Sequence, residues 1–160
     1  MLAFCRRFLP ILALASTVVG CSGGTRPTLD AAKVVDSKAT LVVADVTYAL
    51  HIACYSVGDD VTAVGVGTDT ATGKVVKALI QGPASPYVGL MFGDDEYIYE
   101  ADANVELTIQ RDGDRLIADG ISFVRDIDLD SADGPSVGIG SVLVECTSML
   151  EGTPPTLISR

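Results

Sequence analysis

The chain has 160 residues, with 11 Lys and Arg against 21 Asp and Glu and a formal net charge of −10. A chain this acidic repels phosphate backbones and anionic headgroups, which excludes a basic nucleic-acid-binding surface. The length suits one domain with a real core and is short for two.

The chain opens with Arg6 and Arg7, followed by the uncharged apolar run Phe8 to Val19. A basic start, an apolar core of about 7–15 residues and a small-residue cleavage site define a signal peptide, whereas a membrane-spanning helix needs roughly 20 apolar residues. Residues 1–20 are therefore expected to form a cleaved signal. Its end, Val18-Val19-Gly20-Cys21, resembles the bacterial lipobox. The resemblance implies that the Cys21 thiol is joined to diacylglycerol, that the chain is cut between Gly20 and Cys21, and that the new amino end is acylated. The bland alternative is an unmodified cysteine after a chance apolar run. The export route is left open, because "RRFLP" lacks the usual twin-arginine spacing.

Cleavage removes Arg6 and Arg7 and no acid, so the formal charge moves from −10 to −12. Membrane attachment is then expected from covalent lipid rather than from a basic patch. Two or three acyl chains anchor stably at roughly 0.8 kcal/mol per buried methylene, where one is marginal. Cys5 leaves with the signal and Cys21 is taken by lipid. Cys54 and Cys146 remain as a pair in an oxidising setting, where a disulfide is expected over two buried free thiols. The chain-entropy account assigns a loop of this length about 4.5 kcal/mol.

Residues 21–38 read as the lipidated end and a flexible, proline-bearing tether. Residues 39–147 read as one β domain and 148–160 as a flexible tail. From Thr40 onward, short β-rich runs alternate with Gly/Asp turns, the pattern of an antiparallel all-β domain, expected here as a β-sandwich-like fold. Strands are predicted near 40–44, 48–57, 61–67, 74–81, 86–92, 103–110, 115–124 and 138–147. Asp112-Gly113 is the best hairpin signal, with "SVGDDV" and "ATGK" weaker ones. Strand side chains alternate with period two, so Tyr48, Leu50, Ile52 and Cys54 share one face, and Val142, Val144 and Cys146 share another. Both cysteines are expected on the core side.

Few residues offer chemistry. Asp126, Asp128, Asp130 and Asp133 suggest a calcium loop, but Ser131 and Val137 stand where an EF-hand needs glycine and a bidentate acid. A solvated acidic loop is expected there, and a turn at Asp94, Asp95 and Glu96. His51, the only histidine, reads as a partly exposed wall residue opposite the core face. The sequence has no spare thiolate and no His/Cys set for zinc. The "GVGTDT" and "GIGSVL" segments lack the third glycine and the following helix of a phosphate cradle. The expectation is a protein with no enzyme activity, no metal site and no cofactor beyond the covalent diacylglycerol and N-acyl lipid on Cys21.

"KVV" before the domain, "ACYSVGDDVTAVGVGT", the "RDGDRLIADGISF" hairpin and the closing "VLVEC" together resemble the mycobacterial 19-kilodalton lipoprotein antigens, over roughly residues 33–147. The resemblance implies a lipid-anchored protein on the extracytoplasmic face of the cell membrane, an antigen whose acylated end is sensed by host Toll-like receptor 2. It gives Cys21 as the acylated residue and Cys54 and Cys146 as the family's disulfide pair. The members stop near the last cysteine and carry a Ser/Thr-rich tether. This chain continues through "TSMLEGTPPTLISR" and has few hydroxyls in its tether. The competing expectation is an envelope carrier that encloses a lipid or other apolar ligand.

Overall fold

A computed structural model describes residues 37–93, 97–127 and 133–154. The signal, Cys21 and most of the expected tether lie outside the described residues, as do Asp94, Asp95, Glu96, Asp128, Asp130 and Ser131. The described chain forms ten strands and no helix: β1 (Ser37–Val43), β2 (Val46–Val57), β3 (Asp60–Thr68), β4 (Val75–Gly82), β5 (Tyr87–Phe92), β6 (Tyr97–Ala101), β7 (Gln110–Asp112), β8 (Arg115–Arg125), β9 (Ser136–Glu145) and β10 (Met149–Glu151).

From β1 to β6 each strand pairs antiparallel with the next, β6 pairs with β8, β8 with β9, and β9 returns to β1. Leu41 of β1 thus lies opposite Tyr48 of β2 on one side and Val142 of β9 on the other. An antiparallel all-β fold was expected, but the expected two-layered sandwich is replaced by one sheet closed into an eight-stranded barrel. Alternation dictates which face of each strand is buried. It does not dictate whether that face meets a second sheet or its own far side, and here the β1–β9 pairing settles the matter. Closure also removes the open edges on which sheets aggregate.

The inward faces follow the predicted parity. Tyr48, Leu50, Ile52 and Cys54 join Val142, Val144 and Cys146 in a single interior cluster, with Phe92 and Phe123 among its largest buried side chains. Small residues make room for large ones, as the taper of a small barrel requires. A Cβ on Gly65 would collide with the His51 carbonyl and the Ile52 side chain. A Cβ on Gly140 would collide with the Val42 carbonyl and come 2.9 Å from the Phe123 ring. The G-x-G pairs of the sequence are therefore places where strands and large side chains approach closely.

Curvature comes partly from a bulge in β8. Gly120, at φ 70°, is skipped in the register, since Asp119 pairs with Ser141 and Ile121 with Gly140. The extra residue shifts the inward set from Leu116 and Ala118 to Ile121 and Phe123, all of them buried. Such bulges bend a strand and increase its twist, the deformation closure needs.

The three predicted turns form. Gly113 (φ 62°) joins β7 to β8, Gly58 (φ 61°) joins β2 to β3, and Gly73 (φ 71°) lies between β3 and β4. Three features differ from expectation. β6 precedes the strand predicted at 103–110, and residues 102–109 form a loop. Asp102 breaks the strand: its carboxylate accepts from Asn104 N–H at 2.9 Å and its carbonyl from Val105 N–H at 3.1 Å. The alternation that looked like a strand survives because Leu107 and Ile109 still turn onto the core, with Ile109 filling the space beside Gly82. Finally, Met149–Glu151, within the segment read as a tail, forms β10, which runs parallel to β2 at Cys54–Ser56. Its Leu150 packs on a second cluster outside the barrel wall, formed by Ala53, Tyr55, Val64 and Leu79.

Cys54 and Cys146 form a disulfide, with Cα atoms 5.9 Å apart and a sequence separation of 92. Both are almost fully buried, at 1% and 3% exposure. The bridge joins β2 to the residue after β9, the two strands that flank β1. Replacing either cysteine by alanine is expected to cost about 2–5 kcal/mol, read from denaturant unfolding, and non-reducing peptide mapping should recover one cross-linked pair. Gly140→Ala is expected to destabilise the barrel by about 1–3 kcal/mol through overpacking against Phe123 and the β1 backbone. An unchanged unfolding midpoint would contradict that account of the glycine.

Candidate functional site

Two regions bear on function: the pole where the described chain begins and a cleft on the outer wall. At the pole, Ser37 is fully buried. Its Oγ lies 3.0 Å from Thr147 Oγ1 and accepts the Thr147 N–H at 3.0 Å. Residue 37, where the segment containing Cys21 reaches the barrel, is therefore fastened to the residue after Cys146. Beside it a shallow cleft of about 320 Å³ is lined by Lys38, Arg115 and Glu145 among others. Arg115 and Glu145 are paired there at 3.2 Å with about half of each side chain exposed, a geometry worth little in stability.

The larger cleft, of about 520 Å³, lies against the outer wall. It is bordered by Tyr87 of β5, Glu100 of β6, and Asp102, Val105, Glu106 and Leu107 of the following loop, with Ile127 also lining it. Each element has a reason for its position. In β6 the inward residues are Tyr99 and Ala101, which pack on the core, so Glu100 points outward. It is nonetheless only 5% exposed.

Asp126 fixes one boundary of this region. It adopts a left-handed φ of 47°, donates its N–H to the Ile98 carbonyl at 2.8 Å, and accepts the Ile98 N–H on Oδ1 at 2.9 Å. Arg125 Nε reaches its other oxygen at 3.0 Å. The first acid of the predicted acidic loop is thus a clasp on β6. Asp133 accepts from Asn104 Nδ2 at 3.3 Å, tying the loop after β8 to the loop after β6.

The opposite boundary depends on Asp60, the buried first residue of β3. One of its oxygens accepts from Ala84 N–H at 2.7 Å and Ser85 N–H at 3.1 Å, and the other from Gln81 Nε2 at 3.2 Å. This holds the turn that delivers Pro86 and Tyr87 to the cleft. Tyr87 then folds back along its own strand, its hydroxyl 2.5 Å from where a Gly89 Cβ would sit. Gly89 is directly opposite Glu100 in the sheet, so glycine at that position lets the aromatic ring lie against the wall beside the acid.

Burial works against the charge of Asp60, but the hydrogen bonds from Ser85, Gln81 and Ala84 outweigh it and hold its carboxyl below the ordinary carboxylate value. At Asp69 the Thr72 hydroxyl, 2.8 Å away, is the main cause of a similar lowering, helped by the Ala71 N–H at 2.8 Å. Burial pushes the Tyr55 phenol up.

The remaining predicted residues are placed as follows. His51 is exposed on the outer wall, across from Lys38 and Val66, so it is a wall residue as expected. Among the described residues, no group of three or more His, Cys, Asp or Glu side chains is arranged to hold a metal. Sequence reasoning missed the cleft. Its acids come from two elements, β6, which was not read as a strand, and the 102–109 loop, which was read as one. The polar residue in "YIYEA" was the available signal.

The fold and site define a class: a disulfide-locked, up-and-down antiparallel barrel with a small acidic cleft on its outer wall. No protein-family model, curated protein or solved structure matches the chain.

Asp60 and Asp69 have folded-state values below the unfolded value of about 3.9, so the stability they supply is present above roughly pH 4 and is lost as pH falls through their folded values. Unfolding free energy is expected to decline on acidification below pH 4. Asp60→Ala should lower stability at pH 7 by about 1–3 kcal/mol and make the decline shallower. An acid decline as steep as wild type's would remove Asp60 from this role.

Proposed function

We propose that the chain is a lipid-anchored envelope protein whose barrel is a non-enzymatic display and interaction module. The reading is carried by the order basic start, apolar core, Gly20 and Cys21, followed by a polar, proline-bearing run to Ser37. Covalent diacylglycerol and an N-acyl chain on Cys21 hold the protein to the extracytoplasmic face of the membrane, with Gly20–Cys21 as the cleavage site and the residues that follow Cys21 as the tether. The barrel supports this reading in two ways. Its closed sheet leaves recognition to loops and outer walls, and its disulfide suits an exported, oxidising setting.

The alternative is a carrier with a ligand inside the barrel. Packed side chains from every strand of the barrel wall, Phe92 and Phe123 among the largest, favour the interaction module instead. Eight-stranded barrels have interiors just wide enough to be filled by side chains or to hold one small ligand, and here inward side chains pack into one buried cluster. The resemblance to the mycobacterial 19-kilodalton antigens adds a host partner to the proposal, Toll-like receptor 2 acting on the acylated end.

Cys21→Ala is expected to leave the chain uncleaved or to release it from the membrane, because the thiol is the acceptor for the anchoring lipid. Detergent phase partitioning of the full chain reads this directly. A Cys21→Ala protein that still enters the detergent phase as a cleaved product would sink the lipoprotein reading.

A further inference from the structure

The outer-wall cleft has a size and lining that define a chemical class of ligand. At about 520 Å³ it falls within the roughly 300–1,000 Å³ typical of ligand pockets. Among the described residues its lining contains three acids, Glu100, Asp102 and Glu106, and no lysine, arginine or histidine. The rest of the surface is mainly apolar, with Tyr87 and Leu107 half-buried and Val105 exposed at 47%. An anion placed there would face three acids, and a purely apolar molecule would strip water from Asp102 and the exposed Glu106 without replacing it. A cation on an apolar stem satisfies both halves of the lining. The stem covers Leu107, and the charged head meets the acids beside the Tyr87 ring.

We propose that this cleft binds a lysine or arginine side chain presented by a partner polypeptide. Two observations favour a side chain of a polypeptide over a free amine. The cleft is a lateral opening rather than an enclosed cavity, so flanking backbone can pass along its rim. Val105 stands exposed at that rim and offers apolar surface to a residue next to the cation. Arginine can also place its planar guanidinium against an aromatic ring while forking to a carboxylate. The strongly acidic chain steers a basic partner toward it and raises the association rate at low salt. The proposal rests on the interaction-module reading but not on the lipid anchor, so detergent partitioning and the titration below fail independently.

The test uses the full chain, isotope-labelled and purified in nonionic detergent, with backbone amide shifts followed by NMR. The probes are acetyl-Gly-Leu-Arg-Gly-amide, the same peptide with Gln in place of Arg, and agmatine as a free guanidinium. The arginine peptide is expected to shift the amides of Tyr87 and of residues 100–107, with the shifts shrinking as salt is raised. The Gln peptide should leave them in place. Glu106 is exposed, so Glu106→Gln is compatible with folding and should weaken binding about two- to fivefold, the effect of one exposed ion pair. Asp45→Asn, at the opposite pole, should leave binding unchanged. Equal binding of the Gln peptide, an unaltered affinity in Glu106→Gln, or agmatine binding without peptide binding would each overturn the proposal.

Discussion

The structure depends on the double pairing of β1. Seven residue pairs join it to β2 and six join it to β9, and this pairing turns an open meander into a barrel. Without the β1–β9 seam the inward faces of eight strands would be one side of an exposed sheet, and Leu41, Val142 and Phe123 would lose their shared interior. The disulfide sits at the end of that seam. It fixes β2 to the residue after β9 across the start of β1, so the covalent link and the closing hydrogen bonds protect the same joint. The entropic gain from bridging residues so far apart in sequence is large because that joint is the least local contact in the fold.

The outer wall is a second layer of organisation built from loops. Residues 102–109 leave the barrel lane at Asp102 and rejoin it at β7, and the segment after β8 returns beside them through Asp126 and Asp133. This accounts for outward-facing residues that are buried, Glu100 and Val124 among them. The wall beside Glu100 is formed by Gly89, a residue small enough for Tyr87 to lie across. Asp60 performs the corresponding task at the neighbouring turn with main-chain donors.

Much of this was legible in the sequence. Alternation located most of the barrel strands to within a few residues, glycine placed three turns, and parity put Cys54 and Cys146 on the core side. The features that escaped share a cause. Barrel closure is a contact between the first and last long strands, and no local pattern reports it. The loop at 102–109 keeps the period-two burial of a strand without strand pairing, so "VELTIQ" reads as one. β6 is short and carries a charged residue on a buried outer face, against its propensity. β10 pairs for only three residues, at the end of a bridge rather than in a meander. The cleft is invisible for the same reason, being built from the two segments that local pattern misassigns.

The attachment at Ser37 also sets how the domain answers to force. A load applied through the chain before Ser37 acts at the buried end of β1. β1 is bonded on both edges, so extraction must shear two ladders together instead of unzipping one pair at a time. The strands on either side cannot part at that pole, because Cys54 and Cys146 tie them covalently. A pull on Ser37 is therefore opposed by both ladders of β1 and by the covalent bridge beside them.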